Sequence, residues 1–271
     1  MFLEDELHAA YKLINSPILN FPFPHLYVEN MFSEKFYSEI QDNLLDFNEM
    51  TSIASLNPEI PGLAIYKDRL VVDFNKKKSI QKITKDKQEF WTSFHEKMAP
   101  NLRNIFQAKF KNFLDMRFKY LKNVSYTDQL QLVCDRKNYA LGPHTDKPSK
   151  VISLLIYLPK DRTQISTGTS IYMPKDPSNL NSELPHLHYK KEYFHKVITM
   201  PYTPNSAFCF IKTNNSFHGV EQLEMEDTDR WSLQYNIHIT QENVEQEIEA
   251  RNAHRNGKNP SSNQSESNFS I

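Results

Sequence analysis

The chain has 271 residues, 39% hydrophobic and 12% aromatic, enough to bury a large core in one domain or at most two. Lys plus Arg (32) almost balance Asp plus Glu (33), which excludes a global field drawing the protein onto nucleic acid or an anionic membrane. No run approaches about 18 apolar residues, and the N-terminus M-F-L-E-D-E-L carries acids where a signal peptide carries a basic run, so an unexported, cytoplasmic protein is expected.

Residues 23 to 29 (F-P-H-L-Y-V-E) read as an extended segment, followed by Ser33 at an N-cap position and a helix with Phe36, Ile40 and Leu44 on one face. Residues 48 to 67 hold Pro58, Pro61 and Gly62 without periodicity and read as a long loop of the kind that covers a site. Two helices are predicted over 79–98 and 100–118, with Ile80, Ile83, Phe90, Phe94 and Met98 as core positions and Pro100 in the first turn of the second.

From about residue 126 the texture changes to short apolar or alternating runs separated by Pro, Gly, Asn and Asp, the pattern of an antiparallel sandwich or barrel. The runs are 129–134, 151–158, 169–173, 195–200, 206–211 and 231–239. Cys134 and Cys209 lie inside two of them and read as small buried hydrophobes; with no C-x-x-C and no disulfide framework they suit a reducing compartment. Residues 241–271 begin as a charged helix and end in a segment too polar to pack, expected to be partly disordered. The expected organisation is one domain over 1–240, with a mainly helical N-terminal layer (1–125), a β core (126–240) and a polar tail.

The chemistry-bearing residues lie in the β half. In an extended segment His144 and Asp146, two apart in G-P-H-T-D, project to the same side, and the distant His218 can close a site with them. Two imidazoles and a carboxylate on one face of a metal leave positions open, the arrangement expected of non-heme Fe(II) oxygenases. On the final run Arg230, Ser232, Gln234 and Asn236 share one face, and Trp231, Leu233, Tyr235 and Ile237 the other. A guanidinium and a hydroxyl two apart make a clamp for a carboxylate, although the same face could simply meet solvent on an outer strand. Gly142, Gly168 and Gly219, three of only five glycines, adjoin these segments and suit close backbone approach or plain turns.

The order H-x-D, I-Y-L, G-T-S, a distal His and R-x-S across 126–240 resembles the catalytic half of the Fe(II)/2-oxoglutarate-dependent dioxygenases, prolyl-hydroxylase-like in flavour. The resemblance implies a double-stranded β-helix, that is a jelly roll of cupin type with a helical N-terminal layer, α+β with a mainly β core. It implies Fe(II) on His144, Asp146 and His218, which are then also the catalytic residues. Arg230, Ser232 and Tyr157 would hold the far carboxylate of 2-oxoglutarate, O2 would be the oxidant, and ascorbate is a candidate auxiliary. The implied reaction is hydroxylation of a C–H bond of a small-molecule or peptidyl substrate with release of succinate and CO2; Asp146 speaks against halogenation, since halogenases of the family carry a small residue there. Two departures are Arg230, where collagen-type prolyl hydroxylases use lysine, and Gly168-Thr169, where the family usually has two glycines. Nucleic-acid demethylases of the superfamily carry a second arginine where this chain has Asn236, so no nucleic-acid partner is expected, nor a membrane.

Two rivals stand beside this reading: a cupin-like metal protein that does not turn over 2-oxoglutarate, and a catalytically silent barrel that serves as a binding module. Lys147 and Lys150 read either as contacts for an anionic substrate or as surface lysines, and Tyr139 as a pocket-lining aromatic. The run H-L-H from His186 to His188, with His195 nearby, reads as a solvated loop rather than a second metal site.

Overall fold

The computed structural model describes residues 3–56, 66–180, 188–224 and 229–255. In the first half α1 (Leu3–Asn15), β1 (His25–Glu29) and α2 (Glu34–Asp42) precede β2 (Thr51–Ser52), α3 (Ile53–Leu56), β3 (Arg69–Asp73) and α4 (Lys77–Ile80). The long helix α5 (Lys85–Lys109) and α6 (Lys111–Arg117) then lead into the strands. These are β4 (Tyr126–Asp135), β5 (Leu141–His144), β6 (Lys150–Tyr157), β7 (Thr169–Pro174), β8 (Phe194–Thr199), β9 (Ser206–Ile211), β10 (His218–Val220) and β11 (Arg230–Ile239), closed by α7 (Gln241–Arg255).

The strands form two sheets whose assigned pairings are all antiparallel: seven strands in the order β1-β9-β6-β11-β4-β3-β2, and four in the order β5-β10-β7-β8. Period-2 alternation sorts every strand of the larger sheet between two environments. Leu233, Tyr235 and Ile237 of β11, with Leu132 and Cys134 of β4, Leu154 and Ile156 of β6 and Ala207 and Cys209 of β9, join the helices in one apolar cluster. Their alternates include Arg230, Gln234, Ser153, Leu155 and Phe210, all of which line a cavity that also holds residues of the smaller sheet. Both cysteines are buried and unpaired, as expected from their apolar settings.

Ser33 caps α2 as its position predicts, its hydroxyl accepting from the Phe36 N–H at 3.2 Å. The helix boundaries further on differ from expectation. Instead of ending before Pro100, α5 runs through it, and the break falls at Phe110. A proline inside a helix forfeits one intrahelical hydrogen bond. Here the buried stripe Trp91, Phe94, Met98, Ala99, Leu102 and Phe106 continues across Pro100, so docking onto the sheet outweighs that loss.

Strand β3 was not anticipated, and it extends the sheet beyond β4 through the pairs Arg69–Asp135, Val71–Val133 and Asp73–Gln131. The expected loop at 48–67 contains a short 3-10 turn, β2 and α3 up to residue 56, and its residues 57–65 lie outside the described ones. At the other end, α7 packs against the body: Val244 and Ala250 are buried, and Glu247 forms ion pairs with Arg117 and Arg251. The expectation of disorder over 256–271 concerns residues outside the described ones.

Phe94 is fully buried and touches the rings of Phe32, Phe36 and Trp91, where helix α5 meets the rest of the core. Phe94→Ala is expected to cost about 3–5 kcal/mol, read as a lowered midpoint in urea unfolding with an unchanged m-value.

Candidate metal centre

His144 ends β5 and His218 begins β10, and the two are direct cross-strand partners. Opposed residues of an antiparallel pair present their side chains on the same face, which brings the imidazole centroids to 4.3 Å. Asp146, two residues beyond His144, completes the group; one donor atom from each of the three lies within 4.8 Å of the others. The Nδ1 of His144 sits 3.0 Å from the Gly142 carbonyl and that of His218 2.9 Å from the Ser216 carbonyl. Each imidazole thus carries its proton on Nδ1 and keeps the Nε2 lone pair for a ligand, the second-shell arrangement of metal-binding histidines.

The strands can approach this closely because residue 219 is glycine. A Cβ there would lie 2.3 Å from the Leu141 carbonyl oxygen and 3.0 Å from that of Gly142. Gly168 meets a similar constraint, with the Met200 carbonyl oxygen 1.7 Å from where its Cβ would stand.

Electrostatics hold the donors in their binding states. Burial, reinforced by the neighbouring His218, keeps the pKa of His144 well below the ordinary imidazole value, and burial lowers that of His218. Both rings are therefore neutral near pH 7. For Asp146 burial pushes upward, but Lys150 and the two histidines outweigh it and hold the carboxyl far below the usual range. Its oxygens are engaged by the Lys150 ammonium at 3.0 Å and the Ser153 hydroxyl at 2.9 Å. Lys150 thus pairs with the carboxylate while itself lining the cavity, so of its two expected roles the pocket-facing one fits its position. Two neutral imidazoles and one anionic carboxylate, oriented by hydrogen-bonded neighbours, suit a borderline divalent metal such as iron.

A cavity of about 80 Å³ joins this triad to Arg230, Arg69 and Thr169. Arg230 is 2% exposed and three of its five N–H groups are engaged: Nε donates to the Thr167 carbonyl (2.6 Å), Nη1 to Asp135 (2.8 Å) and Nη2 to Thr169 Oγ1 (3.4 Å). Asp135 is wholly buried and also accepts two hydrogen bonds from Arg69, at 2.6 and 3.0 Å. Arg69, Asp135 and Arg230 form one row across β3, β4 and β11. One carboxylate between two guanidiniums leaves a positive charge at this end of the cavity.

Tyr157 is buried beside Arg230, with its hydroxyl accepting from the Thr169 N–H at 3.1 Å. Ser232 lies on the same face, and its hydroxyl accepts from Gln234 Nε2 at 3.3 Å. Gln234 lines the cavity, whereas Tyr157 and Ser232 lie just outside the lining. Tyr139 is buried under the Arg69 guanidinium, 4.5 Å from its ring, and its hydroxyl has no hydrogen-bond partner among the described residues.

His188 is exposed in irregular chain, as the solvated-loop reading expects, yet it also reaches the site. Its ring lies 4.8 Å from that of His144 and its Nδ1 contacts the Tyr66 hydroxyl, so it stands at the edge of the centre. His186 falls outside the described residues, and His195 is exposed on β8.

Sequence reasoning missed Arg69 and Asp135. The signal was there: Asp135 follows Gln129, Gln131 and Val133 at two-residue steps, on the face that Arg230 shares, and R-L-V-V-D is a short strand with a charge at each end.

No family model matches the chain, and no curated protein matches it in sequence. Solved structures similar to it include a 2OG-Fe(II) oxygenase from Burkholderia pseudomallei, at 12% identity and a TM-score of 0.42, with 86% of this chain and 89% of that one covered. A Pseudomonas putida prolyl-4-hydroxylase is 9% identical at a TM-score of 0.44, covering 85% and 98%. The non-heme α-ketoglutarate-dependent epimerase of nogalamycin biosynthesis is 10% identical at 0.48, covering 86% and 82%. Among the described residues no helix is long and apolar enough to cross a membrane.

Titration of the protein with Co(II), followed by its visible absorbance, is expected to show one saturable site that His144→Ala abolishes. Gly219→Ala alters no donor atom but forces β5 and β10 apart, and is expected to weaken the metal by about 10- to 100-fold, the range for lost ligand support. An unchanged affinity in that variant would show that the strand approach is not what assembles the site.

Proposed function

We propose that this chain is an Fe(II)- and 2-oxoglutarate-dependent dioxygenase that hydroxylates a C–H bond of a small-molecule or peptidyl substrate and releases succinate and CO2. The two facing antiparallel sheets are read as a double-stranded β-helix, with the reacting centre between them. The observation that carries the proposal is a single cavity with the His144–Asp146–His218 donor set at one end and a buried surplus positive charge at the other.

Bound iron, with O2 and 2-oxoglutarate, supplies the oxidising power for the C–H bond, which no side chain of the chain can provide. The protein's own contribution is arrangement. His144, Asp146 and His218 would hold the metal at the end of the cavity away from Arg230. Ser153 and Lys150 fix the orientation of the Asp146 carboxylate. Arg230, backed by Asp135 and flanked by Tyr157 and Ser232, would hold the far carboxylate of 2-oxoglutarate, and Arg69 leaves a surplus positive charge there because Asp135 cancels only one guanidinium. Leu155, Phe210 and Val220 supply part of the apolar wall of the cavity.

One observation favours a second reading, a cupin-like metal protein without 2-oxoglutarate turnover: Arg230 already pairs with the buried Asp135 and spends three of its five N–H groups on Asp135, Thr167 and Thr169, as a structural ion pair does. Release of succinate from 2-oxoglutarate on addition of Fe(II), measured with and without ascorbate, separates the two. Arg230→Met is expected to weaken 2-oxoglutarate binding by about 10- to 100-fold while leaving Co(II) binding in place. No succinate from the wild-type protein, or equal 2-oxoglutarate affinity in the variant, would support the second reading.

A further inference from the structure

A second cavity, of about 200 Å³, lies between α6, the turn that follows β9, and α7. Its charged lining is Arg117, Lys212 and Arg251, and Phe113, Met116 and Ile211 form its apolar wall. The carboxylate built into this cluster is Glu247. It is fully committed: Arg117 donates to its two oxygens at 3.1 Å each, and Arg251 pairs with it as well.

Among the described residues Lys212 is thereby left without an ion-pair partner. The residue is 7% exposed, and among the described residues its ammonium has one hydrogen bond, to Asn214 Oδ1 at 3.5 Å, the outer limit for such a contact. Asp146 is the other acid whose field reaches it, and that carboxylate is held by Lys150 and Ser153. A buried ammonium facing two guanidiniums across an open cavity is costly unless an anion fills the space.

We infer that this cavity is an oxyanion site. It takes the carboxylate or phosphate group of a small molecule between Lys212, Arg117 and Arg251, with the apolar part of the ligand against Phe113, Met116 and Ile211. Burial, with Arg117 and Arg251 beside it, pulls the Lys212 pKa down to about 8, so the ammonium is still charged at pH 7 and a bound anion raises that value. The site adjoins the metal centre through the backbone. Arg117 also donates to the carbonyls of Pro148 (2.7 Å) and Lys150 (2.9 Å), in the segment that follows Asp146, so occupancy bears on the element that carries the Asp146–Lys150 pair.

The test is calorimetric titration of the full chain at pH 7, in an amine buffer free of other oxyanions, with inorganic phosphate in one arm and butyrate in the other. Saturable one-to-one binding of either anion is expected, and the tighter arm identifies the head group. Lys212→Met keeps the side-chain volume and is expected to weaken binding by about ten-fold or more, whereas Arg230→Met, in the other cavity, leaves it intact. Should Lys212→Met fail to fold by thermal melting, Arg251→Gln at the half-exposed rim serves the same comparison. No saturable heat from either anion up to about 10 mM, or equal affinity in the lysine or arginine variant, would overturn the inference.

Discussion

The centre depends on one register: His144 opposite His218 on neighbouring antiparallel strands. A shift of one residue would turn one imidazole to the other face of the sheet and leave two ligands where three are needed. The register holds because Gly219 admits the β5 carbonyls at distances no side chain would allow, and because β10 is pinned on its other edge by β7, with His218 opposite Ile171. The histidine tautomers follow from the same backbone, since the carbonyls two residues before each ring take its Nδ1 proton. Strand pairing therefore determines ligand direction and protonation together.

Charge compensation explains the other end of the cavity. Asp135 is wholly buried and tolerable only because Arg69 and Arg230 bracket it on adjacent strands. The same row that neutralises the carboxylate leaves one guanidinium's worth of charge facing the cavity. At the metal end the compensation runs the other way: Lys150 holds Asp146 anionic against a burial that would otherwise neutralise it. Two like solutions, a buried acid matched by a base from a neighbouring strand or the next turn of chain, frame a cavity to which Leu141, Leu155, Phe210 and Val220 add apolar wall.

The larger sheet makes this division possible. Its helix-facing side is an unbroken apolar layer under α2 and α5, which supplies the stability, and the opposite side is free to carry Arg230, Asp135, Ser153 and Gln234. Polar groups at these positions would be an error in a core; facing a cavity with hydrogen-bonded partners, they are tolerated.

Much of this was legible in the residues themselves. The change of texture near residue 126, the Ser33 cap and the two faces of β11 follow from local periodicity, whereas Asp146 joins His144 from irregular chain just beyond the end of β5. The order of His144, Asp146, His218, Arg230 and Tyr157 along the chain marked them as candidates for one site. Three things were beyond local reasoning. The passage of α5 through Pro100 was decided by the core that its buried stripe fills. The strand character of Arg69–Asp73 comes from a partner some sixty residues away, and so do the ion pairs of Asp135 that it brings. The position of His188 beside His144, and of Lys212 between Arg117 and Arg251, arises where distant segments meet. Sequence determined which residue types could form the site and on which strand face each lies, because alternation is a property of a single strand. Tertiary structure decided which strands pair, in which register and with which charges opposed, because hydrogen-bonded pairing and burial act between segments that are remote along the chain.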